Sequence, residues 1–138
     1  MTRQGDEPTT SRELHVVDSS GWIEYFTAGP NEDAFAPQIE APERLLVPSL
    51  SITEVFRWIL REVGEDSAIQ AAAVMAQAEV VDLDFELSLL AARVGNQHRL
   101  PLADSVIYAT AQSCGATLWT QDADFEGLSG VRYVAKKG

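Results

Sequence analysis

Along the chain, five short apolar runs alternate with longer stretches in which apolar residues recur every three or four positions. The runs are Leu14–Val17, Arg44–Val47, Glu79–Leu83, Thr117–Thr120 and Val131–Val134. Each is brief, mostly apolar and rich in β-branched or aromatic residues, which is how strands buried on both faces read. Between them the period lengthens to that of a helix. Ser51–Val63 puts Ile52, Val55, Phe56, Ile59, Leu60 and Val63 on one stripe, and Gly64 supplies a stop. Ser67–Ala78 is rich in alanine. Asp84–Gln97 carries Leu87, Leu90, Ala91 and Val94 on one face, and Leu102–Ser113 carries Ala103, Val106, Ile107, Thr110 and Ala111, with Gly115 as a cap. Trp22, Ile23 and Phe26 make a shorter stripe after the first strand. Strands alternating with helices predict an α/β domain around a mostly parallel sheet. In such sheets a site lies beyond the carboxyl ends of the strands, where the strand order reverses.

Composition narrows the class. The 138 residues include 10 Lys and Arg against 21 Asp and Glu, a formal net charge of −11, with 46% hydrophobic and 22% charged positions. That length suits one domain, over residues 13–138, whose core needs no structural metal. The polar residues 1–12 read as a flexible N-terminal arm. The negative charge argues against nucleic-acid binding by bulk electrostatics, while leaving room for a local site where metal ions meet phosphate. A single cysteine, Cys114, makes neither an intrachain disulfide nor a zinc cluster and suits the reducing cytoplasm. The longest apolar stretch, Ala71–Ala76, is far short of a membrane span, so no membrane association is expected.

The chemistry then points to the acids. The first strand runs into Asp18 and the fourth into Asp122, so both carboxylates are expected at one sheet edge. Glu54 is expected in the first turn of its helix, and Asp104 near the start of another. Each has a simpler reading by itself: Asp18 as an N-cap, Glu54 in a capping box with Ser51, Asp104 as a complement to a helix N-terminus, and Asp122 in an Asx turn. Together they suggest a cluster. Carboxylates held close repel one another, and a hard divalent cation with oxygen ligands, Mg²⁺ or Mn²⁺, relieves that repulsion. Such ions activate water and neutralise a phosphodiester. The two histidines do not offer an acid–base pair: His15 falls inside the first strand and His98 near a helix end.

At this point four segments, VVDSSGWIEYF, SITEVFRWI, LPLADSVIYATA and TLWTQDADF, resemble the PIN domain in order and approximate spacing, and within it the VapC-type toxins of toxin–antitoxin pairs. The resemblance implies a three-layer α/β/α PIN-like fold with a central five-stranded sheet in the order 3-2-1-4-5. It implies the toxin component of a type II toxin–antitoxin system, a Mg²⁺- or Mn²⁺-dependent endoribonuclease in which water attacks phosphorus in line and leaves a 5′-phosphate and a 3′-hydroxyl. Asp18, Glu54, Asp104 and Asp122 are the implied catalytic and metal-binding quartet, with Asp124 as an additional ligand ranked below Asp122. Ser19 and Thr120 are the expected hydrogen-bonding supports. A VapB-type antitoxin, an RNA substrate and a second copy of the chain are the implied partners.

Glu54, Arg57, Trp58 and Arg61 share one helix face, apart from the main apolar stripe. That face reads as an RNA or antitoxin contact, or alternatively as Glu–Arg pairing beside a packed Trp. Trp22, Tyr25 and Phe26 line an antitoxin groove or pack in the core. Arg93 and Arg99 read as solvated charges, or alternatively as RNA contacts, and Lys136 and Lys137 as a solvated basic tail. Two other enzyme classes fail on particular residues. A dehalogenase-like phosphatase needs a second aspartate where Ser20 stands, and a receiver domain needs a lysine that the chain lacks before Lys136. The remaining alternative is a catalytically silent PIN-like module that binds RNA or protein.

Overall fold

His15–Val17 (β1) lies in the middle of a five-stranded sheet in which every pairing is parallel. Its neighbours are Leu45–Pro48 (β2) on one side and Thr117–Thr120 (β4) on the other. Glu79–Val81 (β3) and Val131–Tyr133 (β5) form the two edges, giving the order β3-β2-β1-β4-β5. The order reverses between β1 and β4, whose register pairs Val17 with Trp119. These statements come from a computed structural model, which describes residues 13–137. The arm expected over residues 1–12 lies outside the described residues.

Among the described residues, six helices cover the sheet: Ser19–Phe26 (α1), Glu32–Ile39 (α2), Ser49–Glu62 (α3), Glu65–Met75 (α4), Phe85–His98 (α5) and Leu102–Ser113 (α6). The alternation of strand side chains divides the core in two. Val16, Leu46 and Leu118 face one way, onto Leu87, Ala91 and Val94 of α5 and Val106 and Ile107 of α6. Val17, Leu45 and Val47 face the other way, onto Trp22, Phe35, Val55, Ile59, Ala71 and Met75 of α1 to α4. The result is the three-layer α/β/α arrangement with the strand order 3-2-1-4-5. Among the described residues, no helix is long and apolar enough to cross a membrane.

Four expectations need correction. Only the three inner strands are well buried: Glu79 and Val80 of β3 are exposed and β5 is half-exposed, because an edge strand has a neighbour on one side only. The helix α2 had no predicted counterpart. It holds on through Phe35 and Ile39, one turn apart and both buried, despite Pro37 inside it. The third helix begins at Ser49, directly after Pro48, not at Ser51. Glu54 therefore stands beyond the first turn, and no capping box with Ser51 forms. The stripe of α3 is also wider than its core contact, since Val55 and Ile59 are buried while Leu60 and Val63 are 45% and 57% exposed.

Candidate metal centre

The site is built where strands end. After Val17 the chain turns into α1 through Asp18, whose backbone is extended and whose carboxylate accepts from the Gly21 amide at 3.0 Å. This is an N-cap, as expected from sequence. The same carboxylate also accepts from Ser20 Oγ at 2.8 Å and from Thr120 Oγ1 at 2.7 Å. With only 2% of its surface exposed, Asp18 is held by three donors from two elements. Burial pushes its pKa up to about 6; the donors from Thr120, Gly21 and Ser20 resist that rise, and the charge of Asp122 adds to it.

After β4 the chain passes Gln121 and Asp122 into a short 3₁₀ turn, Ala123–Phe125. The Asp122 amide donates to Thr120 Oγ1 at 2.9 Å, and Asp122 Oδ1 accepts from the Asp124 amide at 2.9 Å. Asp104 enters from the first turn of α6. Asp104, Asp122 and Asp124 each present a carboxylate oxygen, and these oxygens all lie within 4.8 Å of one another. Burial raises the Asp104 pKa to about 7, followed by the charges of Asp122, Asp18 and Asp124 and a hydrogen bond with Asp124. A carboxyl that retains its proton near neutrality marks a place with more negative charge than it can hold alone. An all-oxygen donor set of this kind fits Mg²⁺ or Mn²⁺, and no sulfur or imidazole ligand is present among the three.

The structure therefore gathers Asp104, Asp122 and Asp124 and sets Asp18 behind them through Thr120. Asp124 stands level with Asp122 in this group. Glu54 lies outside it, and its Oε1 accepts from Ser19 Oγ at 2.6 Å. Ser19 thus supports Glu54, while Ser20, which the sequence reading used only to exclude another enzyme class, supports Asp18. Arg57, Trp58 and Arg61 line a groove with Ser19, Ile23 and Glu54. His15 accepts from Trp119 Nε1 at 3.0 Å and packs edge-on to that ring, and His98 packs edge-on to Tyr108, so both are structural.

A buried polar network braces the centre from outside. Asn31, 3% exposed, donates through Nδ2 to Gln121 Oε1 at 2.9 Å and to the Ala135 carbonyl at 3.0 Å. Its amide donates to Glu24 at 2.6 Å, and Gln121 Nε2 donates to the other Glu24 oxygen at 3.2 Å. The network fixes Gln121, which separates Thr120 from Asp122. Sequence alone gives no signal for it, because Asn31 reads as an ordinary loop residue.

A parallel sheet with this order, carrying clustered acids beyond β1 and β4, defines a class, and the family comparison agrees with it. The PIN domain model matches residues 15–131, and the chain belongs to the PIN domain family. No curated protein matches it by sequence. Among solved structures it is similar to a chain of a toxin–antitoxin complex from Klebsiella pneumoniae, at TM-score 0.74 and 18% identity over 89% of this chain and 99% of that one. It is also similar to a VapC toxin of Mycobacterium tuberculosis described as sarcin–ricin loop cleaving, at TM-score 0.69 and 20% identity, covering 85% and 96%. A DNA-bound VapBC structure from Salmonella typhimurium gives TM-score 0.69 and 16% identity, covering 89% and 98%. At these identities the likeness is one of fold.

Proposed function

We propose that this chain is a metal-dependent endoribonuclease of the cytoplasm and the toxin of a type II toxin–antitoxin pair. The observation that carries the reading is the convergence of Asp104, Asp122 and Asp124 at the strand ends, with Asp18 buried behind them. Asp104, Asp122 and Asp124 would hold Mg²⁺ or Mn²⁺, with Asp18 and Glu54 as the further ligands that the family likeness suggests. A bound divalent ion supplies charge neutralisation at a phosphodiester and a more acidic water. The protein's own part is placement. Three donors fix Asp18: Ser20 Oγ and the Gly21 amide on Oδ1, and Thr120 Oγ1 on Oδ2, which Ser20 Oγ also reaches at 3.0 Å. Asp104 would hold the cation in its unprotonated form.

The antitoxin reading is supported by a second groove, about 340 Å³, lined by Tyr25, Phe26, Ile59, Val63 and Val74 between α1, α3 and α4. It is the place where the surplus apolar stripe of α3 emerges, and it suits an apolar protein segment. Trp22, by contrast, is fully buried in the core. Self-association is supported by Leu89 and Leu102, 51% and 80% exposed on α5 and α6.

The test is cleavage of total cellular RNA by the purified chain in Mg²⁺ or Mn²⁺ and in chelator. Asp104→Asn is expected to lower metal-dependent cleavage by about 100-fold or more, since losing a ligand should cost at least as much as losing one of its supports. Cuts that persist in chelator or in the variant would sink the reading. Antitoxin-free protein that cuts no RNA of its native host under any metal would replace it with a binding module.

A further inference from the structure

We infer that the groove between α1 and α3 is a subsite for one nucleotide of single-stranded RNA, with Trp58 as the base platform and Arg57 and Arg61 on the adjoining phosphate. The inference rests on the reading of the acidic cluster as an RNA-cutting centre and names how that centre holds its substrate.

The groove is about 270 Å³ and is lined by Ser19, Ile23, Glu54, Arg57, Trp58 and Arg61. That volume falls just under the range of ordinary small-ligand sites, so the groove suits one nucleotide better than a larger ligand. It adjoins the acids: Ser19 follows Asp18 directly and donates to Glu54, which forms part of the groove wall. The charge is the second consideration. In a chain of net charge −11, two of the ten basic residues stand one helical turn apart in this groove. Both are exposed. Arg61 has only a surface pairing with its neighbour Glu62, at 2.9 Å, and Arg57 has no salt bridge among the described residues. An exposed pair of this kind is worth little and yields readily to a phosphate, which matches the guanidinium fork better.

The third consideration is Trp58. Half-buried, it packs against the core cluster of α1 to α4 while lining the groove. An aromatic face flanked by guanidinium groups is how sequence-tolerant single-strand sites are made, base on ring and phosphate on cation. An acidic peptide would satisfy the arginines but not the ring. The apolar groove past Ile59 and Val63 is the better seat for protein. The arrangement also accounts for RNA binding by so acidic a chain, since the contact is local and the remaining surface repels the strand.

The experiment measures anisotropy of fluorescein-labelled ten-nucleotide oligouridylate and oligoadenylate on the full chain in an Asp104→Asn background, at several salt concentrations. Arg57→Gln with Arg61→Gln is expected to weaken binding about tenfold and to flatten the log–log salt slope by about 0.7, one phosphate's worth on a single strand. Trp58→Leu keeps an apolar body for packing and loses the ring, and is expected to weaken binding about tenfold. Trp58→Phe should restore most of it. Arg93→Gln, exposed on α5, removes one positive charge elsewhere and should leave binding unchanged. A double variant that binds within twofold of its parent overturns the inference and gives the groove to a protein partner. So does an Arg93→Gln loss of equal size, or a parent that binds neither oligonucleotide.

Cleavage with Asp104 intact separates the two readings. If the chain binds as expected but never cuts, the subsite stands and the nuclease falls. If it cuts and the double arginine variant cuts with unchanged kcat/KM, the subsite alone falls.

Discussion

Thr120 Oγ1 stands between two acids, donating to Asp18 and accepting from the Asp122 amide. It is fully buried, so its hydroxyl has no water to turn to. Thr120→Val keeps the shape of the side chain and removes both bonds, leaving Asp18 one donor short and the Asp122 turn without its anchor. Mn²⁺ affinity measured by calorimetry is expected to fall about 10–100-fold, the usual effect of losing a support behind a metal ligand. An unchanged affinity would mean that Asp18 and Asp122 hold their positions without it. At this scale the acids were legible because residues just past parallel strands are where chemistry sits. Their supports were less so. Thr120 is visible as the strand's last residue, but Ser20 and Asn31 act through contacts with residues distant in sequence or through a turn whose geometry only the fold reveals.

Among the elements, α6 matches its predicted bounds at Leu102–Ser113, and α5 is shifted by one residue at each end, to Phe85–His98, with Asp84 capping it by accepting from the Leu87 amide at 2.8 Å. The α5 stripe of Leu87, Ala91 and Val94 is the pattern that periodicity reads best, while α6 is buried on every face from Ser105 to Ala111. The starts of α3 and α4 shifted because polar Ser49 and Glu65 join a helix without contributing to its stripe. The two central helices of this layer cross closely at Gly95. A Cβ there would meet Ser105 Oγ and come within 3.0 Å of Ser105 Cβ. Ser105 is not free to swing away, since its hydroxyl donates to the Pro101 carbonyl at 2.9 Å. Gly95→Ala is thus expected to destabilise the fold by about 1–2 kcal/mol in urea, an overpacking cost partly offset by the better helix propensity of alanine. A stabilised variant would show that the helices can separate at no cost. Because Ser105 adjoins Asp104, the same variant should also loosen metal binding.

For the whole molecule, the clustered acids make stability depend on pH and metal together. Asp104 and Asp18 have pKa values raised to about 7 and about 6, so the folded state holds their protons more tightly than the unfolded chain does. The folded state therefore loses stability as pH rises from about 4 through those values, and the loss is complete above about pH 7. In chelator, Asp104→Asn is expected to be more stable than the wild type at pH 8, by a margin that narrows toward pH 5. Saturating Mn²⁺ should remove or reverse that margin at pH 8. Denaturant melts of both proteins at the two pH values check this, and a margin independent of pH would mean that Asp104 is not held as described.

The clustered acids come from positions 104, 122 and 124, with Asp18 behind them, and β1 meets β4 across a separation of about a hundred residues, with Val17 paired to Trp119. A chain still emerging from the ribosome thus carries Asp18 long before it carries Thr120 to hold it or Asp122 and Asp124 to join it. Pairing this distant in sequence forms late, after the local helices. The acids cannot meet before the chain has been made as far as Asp124, and by then α1, α3 and α4, which line the apolar groove, have all been made.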